Sequence, residues 1–254
     1  MNKLKHILLF ASILILNEAH SQRNVSDSII SAPWISVHYG LNATEGDLAD
    51  RHGFFNHIGM FAGYKTKRNW VFGIDGSYMF GRDVRVSNMF DHLVDSKGNI
   101  TDQNGDIAIV LVYSRGMYVD LNVGKIFPVL SPNKNSGIYV NFGAGYTIHK
   151  VRVETQDHVV PQLELDYRKG YDRLTAGLNT QQLIGYSFMA NQGFLNFYGG
   201  FYCQQAYTYN RRTQFYDQPN VPVSKDMRLD IQYGIKVAWL IPVYKRQPKD
   251  FYFD

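Results

Sequence analysis

The chain has a single cysteine, Cys203, so no intramolecular disulfide can staple its fold. That is compatible with export, because a sheet closed on itself is held by ladder hydrogen bonds and needs no staple. Past the N-terminus no apolar run approaches the roughly 20 residues a transmembrane helix needs. The basic residues form no stripe, which argues against nucleic acid as a partner. No spacing of histidines and acids suggests a metal site, and nothing points to a cofactor. The mean hydropathy of −0.26 is that of a water-soluble protein. A β-barrel membrane protein shows the same value, since half of every strand is polar.

What is plentiful is glycine (22), tyrosine (18) and phenylalanine (16), arranged with a period of two. The last strand-like stretch, 229–244, shows it best. Leu229, Ile231, Tyr233, Ile235, Val237, Trp239 and Ile241 fall on one face, and Asp230, Gln232, Gly234, Lys236 and Ala238 on the other. Successive side chains of a strand point to opposite sides, so this is β-structure with one apolar and one polar face. An apolar face ending in aromatics fits a barrel turned outward to lipid around a narrow polar lumen.

The N-terminus carries Lys3 and Lys5, then an apolar run from Ile7 to Leu16, then the small-residue site Ala19, His20, Ser21. This reads as a secretory signal over 1–21, cleaved before Gln22, rather than as a retained anchor helix. Its removal lowers the net charge from +4 to about +3. Residues 22–33 are a polar periplasmic lead-in, 34–244 the barrel and 245–254 a periplasmic tail.

Eight strands are expected: 34–41, 57–66, 70–83, one ending at Phe127, 138–153, 178–189, 194–209 and 229–244. Tight turns fall at 67–69, 131–136 and 191–193, and the other four connections are long. Long and short therefore alternate, with both termini on the short-turn side, as in an up-and-down barrel of the outer membrane. Turn formers at 95–99 and 104–106 suggest a small hairpin above the membrane. A water-soluble eight-stranded barrel would put its apolar residues inside. It would have little reason to place Trp70, Trp239, Tyr64 and Tyr244 near strand ends, where girdles sit. The fold class is thus all-β, an eight-stranded antiparallel up-and-down transmembrane barrel.

Such a barrel is too narrow to conduct, and its lumen is filled by side chains. Lys65, Asp75, Asp120, Asp230 and Lys236 face inward with both signs of charge and read as a plug of ion pairs. At the outer rim His52, His57, Asp83, Ser87, Asp91 and His92 are the residue types of a hydrolytic site, but their spacing fixes no triad. Cys203 falls on the lipid face as a small hydrophobe. The outer loops mix aromatics with arginines: Phe54, Phe55, Phe90, Tyr167, Arg168, Tyr171, Arg211, Arg212, Phe215 and Tyr216. These types are enriched at protein contacts, though they also pack loop on loop or meet lipopolysaccharide phosphates.

The signal ending in Ser21-Gln22, the eight amphipathic strands and the ending I-P-V-Y…F-Y-F resemble the PorT-like and PorG-like small outer-membrane barrels, which share the broad fold of OmpX. The resemblance implies a cell outer-membrane location and a non-enzymatic accessory role in an envelope protein complex, for secretion or outer-membrane assembly. It also implies outer-membrane lipid, lipopolysaccharide and envelope proteins as partners. A free-standing adhesion barrel and a lipid A-modifying enzyme are the alternatives.

Overall fold

The computed structural model describes residues 28–191 and 195–242. The expected signal, most of the lead-in, Gln192 and Gly193 of the third turn, Tyr244 and the tail lie outside the described residues. Eight strands form the barrel wall: β1 (Ala32–Gly46), β2 (Phe55–Lys65), β3 (Trp70–Gly81), β5 (Ile107–Phe127), β6 (Gly137–Gln156), β7 (Thr175–Met189), β8 (Asn196–Asn210) and β9 (Arg228–Pro242). Between β3 and β5 lies the two-residue strand β4 (Ile100–Thr101), which pairs with Ile107 and Ala108 to make the expected small hairpin. Each wall strand pairs antiparallel with its neighbours, and β1 pairs with β9, Val37 opposite Trp239. The sheet is closed, so no barrel strand is left as an edge.

Alternation along each strand decides which side chains see the lumen. Ile35, Val37, Tyr39 and Leu41 of β1 point out, as do Met117, Val119 and Leu121 of β5 and Ile235, Val237 and Trp239 of β9. Between them Ser36, His38, Tyr118, Asp120, Asn122 and Lys236 are buried. The exterior is apolar and the interior polar, the reverse of a water-soluble barrel. This is a surface suited to hydrocarbon, and the strands are of the length and kind that cross an outer membrane. Trp70, Trp239 and Tyr64 are exposed at the short-turn end, at girdle height. Both descending strands stop at proline, Pro128 just after β5 and Pro242 at the end of β9. A proline has no N–H to add to a ladder, so the pairing ends there.

The strand limits differ from the sequence reading mainly at the outer end. β1 runs on to Gly46, β7 begins at Thr175, and β5 and β6 pair up to Ile109 opposite Gln156. In β1 and β7 polar side chains hide the end of the strand from a hydrophobic pattern, but the backbone ladder continues.

The five inward charges do not form one network. Lys65 sits at the short-turn end, where its Nζ donates to the Ile30 carbonyl (3.0 Å) and to Asn135 Oδ1 (2.9 Å). At mid-height Asp75 and Asp120 are opposite one another on β3 and β5. Lys236 reaches from β9 to Asp75 Oδ2 (3.4 Å) and to the Tyr118 hydroxyl (3.1 Å), with its ammonium over the Tyr202 ring. Asp120 accepts from Asn179 (2.8 Å). Near the outer end Asp230 bonds His149 (2.9 Å) and Thr208, with Arg51 at 4.0 Å. Glycines on the inner face make room for these side chains. A Cβ at Gly40 would overlap the His57 ring, and one at Gly73 would overlap Phe61.

Lys236→Met leaves Asp75 and Asp120 buried without their cation and is expected to cost about 3–5 kcal/mol in urea unfolding from lipid vesicles. Adding Asp75→Asn should recover most of that loss. Gly40→Val removes the seat of His57 and should destabilise by about 1–3 kcal/mol, read as a lower temperature for loss of the fast-migrating folded band on gels.

Candidate functional site

The long connections stand at one end of the barrel and are folded rather than loose. Residues 47–54 turn inward over the mouth. Arg51 Nη1 donates to Thr175 Oγ1 (2.8 Å), and His52 is hydrogen-bonded to Ser114 Oγ (2.8 Å) with its ring against Phe55. The Phe54 amide donates to Asp83 Oδ2 (3.1 Å), tying this loop to residues 82–106. The lumen is thereby closed from above by side chains of its own strands and first loop.

A second apolar core lies outside the barrel end. Met89, Ile100, Val151, Val153, Val160, Leu163 and Tyr171 are buried together, with Phe90 and Leu93 packed against them. Aromatic contacts join three loops here. The Tyr171 ring lies 5.6 Å from Phe90 and 5.8 Å from Tyr216, and its hydroxyl is 2.7 Å from His92 Nε2. Ion pairs brace the rim of this cap: Arg168 with Glu164 (2.9 Å), Arg212 Nε with Asp172 (2.8 Å), and Arg173 with Asp217 beneath the Phe215 ring. Hydrogen bonding to Asp172 raises the Arg212 pKa further. In the hairpin, Asp95 Oδ1 accepts from the Lys97 and Asn99 amides, and Asp102 Oδ1 from those of Asn104 and Asp106. The Asn99 and Lys97 amides hold the Asp95 carboxyl below its usual range.

The ten aromatics and arginines singled out in the outer loops therefore divide. Phe55 (1 % exposed) and Tyr171 (2 %) are interior, and Phe90 and Phe215 are half-buried in loop packing. Arg168 and Arg212 are engaged in the ion pairs above. Arg211 is exposed and donates to the Tyr146 hydroxyl (2.7 Å). Phe54, Tyr167 and Tyr216 remain open to solvent, and Tyr167 and Tyr216 stand side by side with ring centroids 6.4 Å apart.

Next to the Tyr167 and Tyr216 pair is a cleft of about 630 Å³ that the sequence reading missed. Its floor is the outer wall of β5 and β6 with Tyr78, Met117 and Ile148, and its rim carries Arg115, Lys150, Arg152, Arg168, Lys169 and Arg212. Arg152 pairs with Glu154, Lys169 with Asp166, and Arg212 with Asp172. Among the described residues, Lys150 and Arg115 have no acidic partner. The signal was in the parity: Arg115 shares a face with Met117, and Lys150 and Arg152 share one with Ile148. Cations directly above lipid-facing residues stand at head-group height.

The hydrolytic candidates do not converge. His52 and His57 are fully buried in the lumen, whereas Asp83, Ser87, Asp91 and His92 are exposed in the loop over β3 and β4. His52 does meet a serine, Ser114, and its ring is 5.3 Å from that of His149. Ser114 and His52 are both fully buried. No group of three or more His, Cys, Asp or Glu suited to a metal ion occurs among the described residues.

No protein-family model matches the chain, and no curated protein does. Several solved barrels align with most of it. Neisserial surface protein A is 13 % identical, over 83 % of this chain and 98 % of its own, with a TM-score of 0.40. Ail, the attachment invasion locus protein of Yersinia pestis, solved with a heparin analogue, is 11 % identical over 83 % and 99 %, with a TM-score of 0.35. OprG of Pseudomonas aeruginosa is 10 % identical over 85 % and 99 %, with a TM-score of 0.36. Likeness at that level carries no inference about role; the closed eight-stranded wall and its apolar exterior stand on this chain's own residues.

Proposed function

We propose that this chain is a non-enzymatic barrel of the cell outer membrane that serves as a structural or accessory subunit of an envelope protein complex. The observation that carries the reading is the cap. Its loops are held by a buried core and ion pairs, over a lumen filled with side chains. A preorganised surface loses little conformational entropy when a partner docks, whereas a filled lumen offers no path for a solute. Phe54, Tyr167 and Tyr216 are the aromatics left free to enter a partner's pockets. The narrower assignment, to the PorT-like and PorG-like barrels of secretion or outer-membrane assembly, is part of the same proposal. It stands or falls with the identity of the partners.

The basic cleft supports lipopolysaccharide as a second partner. Arginine and lysine at head-group height match the phosphates of lipid A, which accept charge-assisted hydrogen bonds. The same cleft also favours an alternative reading, a free-standing surface barrel that binds an external polyanion. A lipid A-modifying enzyme, the remaining alternative, would need reactive groups at that cleft; Ser87, His52, His57 and His92 do not line it, and His149, which does, is 3 % exposed and bonded to Asp230.

Affinity isolation of the tagged full chain from native membranes in mild detergent, read by mass spectrometry, is expected to recover a fixed set of envelope proteins. Tyr167→Ala with Tyr216→Ala should reduce that recovery about tenfold or more while the barrel stays folded. Recovery of the protein alone would overturn the subunit reading. Lys150→Glu with Arg115→Glu is expected to reduce lipopolysaccharide co-purification and to weaken its dependence on ionic strength.

A further inference from the structure

The lipid-facing belt is apolar on every strand but two. On the outward face of β7 stand Leu178, Thr180, Gln182 and Ile184, and on that of β8 Phe201, Cys203, Gln205 and Tyr207. Thr180 is opposite Gln205, and Gln182 is opposite Cys203. Gln182 is the middle residue of β7 and Cys203 the middle residue of β8, so the patch lies at the centre of the membrane-spanning wall. The groups are joined to one another. Thr180 Oγ1 donates to Gln205 Oε1 (3.1 Å), Gln182 Nε2 to Thr180 Oγ1 (3.4 Å), and Gln205 Nε2 to Cys203 Sγ (3.3 Å). Two of these bonds are long or to a weak acceptor, and no donor among the described residues reaches the Gln182 carboxamide oxygen.

Acyl chains offer no hydrogen bonds, and amides held against them are costly. The opposite wall shows what lipid contact normally selects here: Ile58, Met60, Ile74 and Phe72 on β2 and β3. A carboxamide carries both a donor and an acceptor, so the same patch on a second copy is complementary to it across a two-fold axis. Small residues beside the patch, Ala144 on β6 and Gly199 on β8, allow two walls to approach closely. A second copy presents its amides at the same membrane depth, which no lipid does. We infer that the outward face of β7 and β8 is a membrane-embedded interface between two copies of this chain, joined by Gln182 and Gln205 about a two-fold axis near Cys203. This interface is separate from the loop cap and does not depend on the role proposed for it.

Site-specific photo-crosslinking of the full chain in native membranes tests it. Benzoylphenylalanine placed at Phe201, one step along the same face, is expected to give a dimer of this chain. The same probe placed at Ile74, on the opposite wall, should give none. Gln182→Leu with Gln205→Leu adds apolar surface to the lipid face and should leave the barrel folded. It should lower the dimer yield about tenfold, since each interhelix-type hydrogen bond in lipid is worth roughly threefold in association. A bis-maleimide bridging Cys203 to Cys203, lost in Cys203→Ser, would support the same axis. Adducts from Phe201 only to lipid or to a different protein would overturn the inference. So would equal dimer yields from Phe201 and Ile74, or a yield unchanged by Gln182→Leu with Gln205→Leu.

Discussion

In hydrocarbon a backbone N–H or C=O without a partner has no water to fall back on. A sheet can satisfy that condition only by closing on itself, and the pairing of β1 with β9 is where this one closes. The rest of the structure depends on that ladder. Closure with eight strands fixes a narrow lumen, which must then be filled. Closure also fixes which residues alternate outward, and so the belt, the girdles and the height of every group along the wall.

The filled lumen gives many of this chain's polar residues a place in packing. Four histidines, His38, His52, His57 and His149, are buried there, each with a side-chain hydrogen-bond partner. Each is held by one ring nitrogen, to Ser77, Ser114, Asn42 and Asp230 in turn, and its other ring nitrogen is buried without a partner among the described residues. The Ser114 and His52 contact belongs to the same packing, despite joining two residue types of a hydrolytic site. Of the surfaces, the cap is the most built. Its apolar core sets the tyrosine pair and the basic rim in fixed positions above the membrane.

The two surface features differ in how they meet their surroundings. The cap and cleft stand in water and at head-group level, where exposed charges are screened and partners are selected by shape and hydrogen bonding. The patch on β7 and β8 stands in hydrocarbon, where a few amides weigh more because nothing else there can bond to them. A barrel with both can be held laterally through its wall while its loops engage something outside.

Alternation was enough to read the wall from the amino-acid order. A period of two with apolar residues on one face determines strand, side and membrane orientation together, so the lumen-facing Lys65, Asp75, Asp120, Asp230 and Lys236 were legible. The same parity places Arg115, Lys150 and Gln205 on the outward face, where they interrupt an otherwise apolar series. What the order of residues could not decide was which charges meet. Asp75 and Lys236 are 161 positions apart, and Lys65 finds a carbonyl and an asparagine instead of either acid. Phe55 is the first residue of β2, where the strand's parity turns it inward beside the exposed Phe54, but the burial of Tyr171 could not be read in this way. Loop residues have no period, so their burial follows from contacts between distant loops, and those exist only once the closed ladder has brought the strand ends into one ring.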